Sequence, residues 1–158
     1  MEGIAYFLTP VGELEIRSRG DAITGVSFLK GQKEPEKETP QTRQCRQELE
    51  EYFAGSRKFF TVPLEADGTE FQKQVWSALL DIPLGRTISY AELATRLGNL
   101  KAIRAVGLAN GQNPIAIIIP CHRVIGKDGS LVGYGGGLDN KLWLLKHEGA
   151  LADQLDLF

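Results

Sequence analysis

The chain has 158 residues, 42% of them hydrophobic and 24% charged, with a formal net charge of −2. That is enough to bury a core in one domain or two small ones, and too apolar for a disordered segment. No apolar run is longer than Ile115–Ile119, and "MEGIAYFLTP" has neither a basic start nor a signal-length apolar stretch, so a cytoplasmic location is expected. Two cysteines (Cys45, Cys121) and two histidines (His122, His147) form no CxxC or HxxxH pair, so no metal and no cofactor is expected. Residues 1–68 carry 9 Lys+Arg against 12 Asp+Glu, and residues 69–148 carry 9 against 6. Only the second stretch suits a polyanion, although so small an excess also fits an ordinary solvated surface.

In chain order, "IAYFLTPVGELEIRS" and "AITGVSFLK" alternate apolar and polar residues between turn signals and predict a meander. "GQKEPEKETP" has no apolar residue and reads as a surface loop. "QTRQCRQELEEYFAG" puts Cys45, Leu49, Tyr52 and Phe53 on one helical face and stops at Gly55, which makes Cys45 a small core residue without chemistry. Thr69 with Gln72 signals the start of a second helix that buries Phe71, Val75 and Leu79 and ends at Pro83 and Gly85. Ser89 with Glu92 opens a short helix over "YAELATRLG". "AIRAVGLANG" follows, with Ala102, Ala105, Val106 and Ala109 inward, and the two short helices read as a helix-turn-helix. The outer side of the second offers Arg104, Gly107 and Leu108 where base-reading helices carry long polar side chains. Gly107 fits either close helix packing or a slim helix approaching a DNA groove with little sequence preference.

Ile115–Ile119 reads as a short strand buried on both faces, with Pro120 ending its pairing and exposing Cys121. An isolated cysteine is most often inert packing. Here His122 can accept a proton and Arg123 adds positive potential, which together favour a nucleophilic thiolate. Successive side chains on extended backbone point to opposite faces, so either the chain turns at Pro120 or a water bridges thiol and imidazole. Glu148 in "LWLLKHEG" is a candidate to orient the imidazole; with His147 it reads equally as a solvated helix end. "GKDGSLVGYGGGLDN" holds a hairpin turn at Lys127-Asp128-Gly129 and then flexible backbone around Tyr134, a lid over a planar ligand or a loose loop. It matches neither a P-loop nor GxGxxG.

Taken together, "ISYAELA", "RAVG", "PCHRV", "GYGGG" and "WLLKHEG", in that order between Phe71 and Gly149, closely resemble the O6-alkylguanine-DNA alkyltransferases, also called methylated-DNA–protein-cysteine methyltransferases. The N-terminal half matches more loosely, through "TPVG" and "EYFAG". The resemblance implies an α/β N-terminal domain over residues 1–65, with a ribonuclease-H-like sheet plus helix, and a mainly helical C-terminal domain over residues 66–150 holding the helix-turn-helix; residues 151–158 form a tail. It implies direct-reversal DNA repair by base flipping, in which an alkyl group passes once and irreversibly from O6-alkylguanine, or O4-alkylthymine, to Cys121. His122 would be the water-bridged base, Glu148 the carboxylate behind it, Asn113 the brace of the active-site turn and Tyr134 the donor to the base. On double-stranded DNA the second helix would enter the minor groove, with Arg104 intercalating, Tyr90 rotating the phosphate, and Ala102, Gly107 and Arg123 also on the DNA. Gly135, Gly136, Ala116 and Val124 would form the lid and pocket wall. Gly135 and Ala116 stand where some members have serine and proline, so a roomier pocket that accepts groups larger than methyl is expected.

A cysteine-dependent hydrolase would also want Cys, His and an orienting group, but gives the two helices no role; a non-catalytic DNA-lesion-binding module leaves the thiol idle. Finally, Gln154, Leu155, Asp156, Leu157 and Phe158 resemble the bacterial sliding-clamp-binding pentapeptide. A terminal phenylalanine can otherwise fold back on its own protein.

Overall fold

A computed structural model describes residues 2–126, 128–129, 131 and 133–150. Two compact units divide the chain: one runs to Asp67 and takes in Pro114–Ile118, and the other comprises Gly68–Asn113 and the chain from Ile119. What a linear division misses is the short excursion of Pro114–Ile118 into the first unit.

In the first unit β1 (Glu2–Thr9), β2 (Gly12–Arg19) and β3 (Ala22–Phe28) form an antiparallel meander in that order, with Ile4 opposite Arg17 and Tyr6 opposite Glu15. Thr9 closes the first turn, its hydroxyl donating to Gly12 O at 2.7 Å and accepting from Val11 N. Helix α1 (Pro40–Phe53) begins at a reciprocal cap between Thr39 and Thr42 and buries Cys45, Leu49 and Tyr52 at helical spacing. The acidic loop before it is tied to β1, since Ile4 and Lys37 exchange both backbone hydrogen bonds.

On the outer edge of β3, Val26 N donates to Pro114 O at 3.0 Å and Ala116 N to Val26 O at 2.9 Å. Pairing then stops. The strand expected over Ile115–Ile119 is a single bridge at Ile115 followed by a turn, in which Ile118 N donates to Ala116 O and Ile117 has φ of +72°. A β-branched residue in left-handed backbone costs about 1–2 kcal/mol. Ile117 is only 1% exposed, so the burial of its side chain can offset that strain. An apolar run this short signals burial, not extension.

In the second unit α2 (Glu70–Leu79) carries the expected Thr69–Gln72 capping box. Val75, Trp76 and Leu79 are its buried residues, and Trp76 Nε1 donates to Ala109 O at 2.8 Å. Phe71, expected inside, is 37% exposed because Trp76 fills the interior beside Val75. β4 (Ile88–Ser89) pairs in parallel with β5 (Val124–Ile125). Ser89 caps α3 (Tyr90–Arg96), and Gly98, at φ of +80°, turns the chain toward a 3₁₀ turn over Leu100–Ala102 and α4 (Ile103–Gly111). Helix α5 (Leu138–His147) follows the glycine-rich segment. Among the described residues no helix is long and apolar enough to cross a membrane.

One buried carboxylate organises the first unit. Glu48 accepts from Thr61 N at 2.8 Å, Val62 N at 3.1 Å, Thr61 Oγ1 at 2.6 Å and Gln44 Nε2 at 2.9 Å. Burial opposes its ionisation, but these donors outweigh burial and hold its pKa below the usual carboxylate value. Glu48→Ala strands two backbone N–H groups and should cost about 3 kcal/mol in urea denaturation; a loss below roughly 1 kcal/mol would show that water replaces the carboxylate without penalty.

Candidate active site

Cys121, His122 and Arg123 occupy one 3₁₀ turn directly after Pro120, closed by Arg123 N donating to Pro120 O at 3.0 Å. With three residues per turn, neighbours diverge by about a third of a circle, not half, which removes the difficulty that extended backbone would create. Asn113 braces the approach: its Nδ2 donates to Ile119 O at 2.7 Å, joining the two ends of the Pro114–Ile118 excursion. Cys121 was expected to emerge at a strand end. It is instead 7% exposed, because the chain turns back within the interior. Burial pushes its thiol above the usual value, against the opposing pull of the Asn113 amide and the Lys141 charge, so sulfur rests protonated.

His122 is fully buried, with Nε2 2.7 Å from Glu148 Oε2. The solvated helix end is therefore the wrong alternative for Glu148, which is buried where α5 finishes. Burial lowers the imidazole pKa more than the carboxylate raises it, so the ring is neutral. Burial would raise the Glu148 pKa, but His122 and Arg123 outweigh it and hold the carboxyl at about 2. An ionised carboxylate accepts only, so the ring proton sits on Nε2 and Nδ1 is left as the acceptor, with no hydrogen-bond partner among the described residues.

Arg123, expected on DNA, is buried. Its Nε donates to Glu148 Oε1 at 2.8 Å, Nη2 to Oε2 at 3.2 Å and Nη1 to Ile82 O at 2.6 Å. A guanidinium whose Nε/Nη2 edge is spent on a buried carboxylate does not offer that edge to phosphate. Val124, expected on the pocket wall, is fully buried in β5.

The sequence reading missed two residues. Lys141 is fully buried, its Nζ 2.7 Å from Val124 O and 3.5 Å from Gly133 O, and 6.0 Å from the Tyr90 ring centre. Burial lowers its pKa to about 8, against a raising contribution from Cys121. Its signal was available, since Lys141, Leu144, Leu145 and Glu148 share one helical stripe. Asn110 is also buried and donates from Nδ2 to Cys121 O at 3.4 Å. It fills an inner position expected for Ala105, which is exposed; the 3₁₀ turn before Ile103 rotates the face, so Val106, Ala109 and Asn110 point inward and Ala102 is only half-buried.

The Tyr134 ring lies 6.4 Å from the His122 ring, edge to face, and burial keeps its hydroxyl protonated. The backbone around it forms a defined turn: Gly137 N donates to Tyr134 O, Asn140 Nδ2 to Gly136 O, and Gly137 at φ of +95° starts α5, while Gly135 is exposed. On α4, Arg104, Ala105, Ile103 and Leu108 are exposed. A Cβ on Gly107 would meet the Tyr90 ring at 3.6 Å, an ordinary contact, so close packing does not explain that glycine. Ala116 is buried in the first unit. Lys127 of the expected hairpin, and Gln154, Leu155, Leu157 and Phe158 of the tail, lie outside the described residues.

A buried Cys-His-Glu constellation on a helical unit defines a cysteine-dependent transferase or hydrolase. Comparison with known proteins separates these. Residues 70–150 match the 6-O-methylguanine DNA methyltransferase, DNA binding domain, and residues 4–66 the ribonuclease-like domain of the same enzyme. The methylated-DNA–protein-cysteine methyltransferase of Methanosarcina acetivorans is 49% identical over 154 residues, covering 92% of this chain and 97% of that protein. The Mycobacterium leprae protein of the same name is 47% identical, covering 89% and 88%. The crystal structure of Mycobacterium tuberculosis O6-methylguanine methyltransferase superposes with a TM-score of 0.85 at 43% identity over the whole of both chains, and that of Mycobacterium tuberculosis OGT in complex with DNA with 0.82 at 44%, covering 97% of each. The chain belongs to the 6-O-methylguanine DNA methyltransferase family.

The ionised Glu148 has a definite pH signature. Its folded pKa lies below the unfolded one, so its stabilisation is complete above about pH 4.5 and is lost as pH falls toward 2. The neutral His122 adds to the loss at acid pH, since the unfolded chain takes up a proton that the folded chain refuses. Urea denaturation from pH 7 to pH 3 should show a decline on the order of 2–3 kcal/mol, and Glu148→Gln should flatten it; an unchanged slope in the variant would place the acid sensitivity elsewhere.

Proposed function

We propose that this chain repairs DNA by moving an alkyl group from O6-alkylguanine onto Cys121 Sγ, once per molecule. The observation that carries the assignment is the neutral, buried His122, held through Nε2 by Glu148 with Nδ1 free, on the same turn as the thiol. A resting thiol needs a base. The proton leaves sulfur for His122 Nδ1, through a bridging water where the two do not touch, while the Lys141 charge favours the thiolate. Sulfur then forms a bond to the alkyl carbon, the carbon–O6 bond breaks with its electron pair going to the base, and the base takes up a proton. Tyr134, kept protonated by burial, donates a hydrogen bond to the departing base. The product is a thioether. A thioether, unlike a disulfide, is not reversed by exchange with another thiol, and Cys45, the second cysteine, is buried with its thiol raised to about 12.

The α3–α4 pair is read as a helix-turn-helix whose second helix enters the minor groove of double-stranded DNA. An outer face of Ile103, Arg104, Ala105, Gly107 and Leu108 supports this: one cation among small and apolar groups offers little direct readout of sequence, and suits a protein that must act on any sequence. Arg104 would take the place of the flipped base, with Tyr90 and Ala102 nearby on the DNA. The first unit is read as ribonuclease-H-like. The bare, exposed Gly135 favours substrates larger than methyl, and O4-alkylthymine falls within the same chemistry. The tail Gln154–Phe158 is read as a sliding-clamp peptide, so that its deletion should abolish clamp binding and spare repair of short oligonucleotides. The cytoplasm is the compartment in which such a free thiol persists.

Intact mass after incubation with excess alkylated duplex should rise by one alkyl group on the Cys121 peptide and then stop. Continued product release without a mass change would make the protein a hydrolase, and binding without transfer would make it a recognition module. Gly107→Ala should stabilise the fold by up to about 1 kcal/mol through helix propensity, yet weaken DNA binding; unchanged affinity in a gel-shift titration would remove α4 from the groove.

A further inference from the structure

We propose that Arg123 is a positioning residue for alkyl transfer, whose fork on Glu148 lets the carboxylate orient His122 without protonating it. The proposal rests on the transferase reading, and its geometry is independent of DNA. Both Glu148 oxygens are engaged: Oε1 by Arg123 Nε at 2.8 Å, and Oε2 by Nη2 at 3.2 Å together with His122 Nε2 at 2.7 Å. The third guanidinium nitrogen, Nη1, donates to Ile82 O at 2.6 Å and so fixes the plane of the fork against the segment after α2. Side-chain exposure is 9% for Arg123 and nil for Glu148 and His122, so water does not screen the three groups from one another.

A buried carboxylate whose only cationic partner could be an imidazole draws a second proton onto that ring, because an ion pair is the cheapest way to bury its charge. Here the guanidinium already supplies the positive charge. The ring then needs only to donate the Nε2 proton, and Nδ1 stays available to take the proton of sulfur. The groups facing His122 divide accordingly. Glu148, at the end of α5, favours the imidazolium; Arg123 on the same turn and Lys141 on α5 oppose it. The Tyr134 ring, 6.4 Å away on the glycine-rich segment, and the resting Cys121 thiol are uncharged. Arg123 is the member of the opposing pair that touches the carboxylate. Lysine would keep the charge but not the two parallel donors or the third contact to Ile82.

The test uses Arg123→Lys and Arg123→Met on the full chain, with single-turnover dealkylation of an O6-methylguanine duplex from pH 5.5 to 9 and imidazole ¹⁵N shifts of His122. In the wild type His122 should be neutral with its proton on Nε2 at pH 6.5; an imidazolium there overturns the proposal without any variant. In Arg123→Met the acid limb of the rate profile should move to higher pH, with the rate at pH 7 falling roughly tenfold or more and DNA affinity unchanged. Arg123→Lys should fall between that variant and the wild type. A lower rate with an unmoved profile and unmoved ¹⁵N shifts would make Arg123 merely structural, and lost DNA affinity would return it to the DNA surface; either outcome overturns the proposal. If Arg123→Met does not fold, the lysine variant and the wild-type spectrum still decide. A wild-type protein that takes no alkyl group would fail the transferase reading instead, leaving the His122 shifts interpretable.

Discussion

The second unit depends on one ionised carboxylate kept away from water. Glu148 ends α5, and through it that helix is joined to the turn of Cys121–Arg123 and, by way of Arg123, to the carbonyl of Ile82. Burying such a charge is expensive, and its pairing recovers little net stability compared with well-packed apolar groups. What it gives is direction. A leucine cluster would leave the imidazole free to turn about its own axis, whereas a carboxylate with both oxygens engaged fixes which ring nitrogen carries the proton.

The two cysteines show how much the neighbourhood decides. Both are buried and both have thiols pushed upward by burial. Around Cys45 lie α1 packing residues and the like charge of Glu48, which raises it further. Around Cys121 lie the Asn113 amide and the Lys141 ammonium, each of which pulls the other way. Neither pull prevails at rest, which is an advantage for a protein whose sulfur is consumed on first use: a permanent thiolate would be open to oxidants and stray electrophiles. Activation on demand requires a neutral base beside the thiol, and so the burial of sulfur and the neutrality of His122 belong to the same design.

Local physics was legible in the sequence. Thr69 with Gln72, Ser89 with Glu92, and the Cys45–Leu49–Tyr52 stripe each bind partners within a few residues, and each element appears where those signals placed it. The family motifs likewise named Cys121, His122, Glu148 and Asn113, which the fold gathers around one turn. Most of the misses are long-range. Nothing near Ile117 announces left-handed backbone; it is imposed where the chain leaves the edge of β3. Arg123 looked like surface charge because its partners are 25 and 41 positions away. Lys141 belongs to no motif and lysine is seldom buried, although its spacing from Leu144 and Glu148 puts it on the buried stripe.

Helix α4 divides its residues between two very different faces. Its inner residues Val106, Ala109 and Asn110 must reach the core, and Asn110 must meet the carbonyl of Cys121. Its outer residues Ile103, Arg104, Ala105 and Leu108 carry one long polar side chain among them, that of Arg104. Leu108, 65% exposed, and Ile103, 38% exposed, would be poor choices for a solvated face, and with no packing demand at Gly107 the glycine cannot be assigned to the interior either. A narrow apolar ridge bearing a single guanidinium loses little by leaving water and makes few directional bonds, properties suited to a groove in which the sequence varies and the backbone does not. The same helix also reaches the Cys121 turn from its inner side, where Asn110 Nδ2 donates to the carbonyl of Cys121.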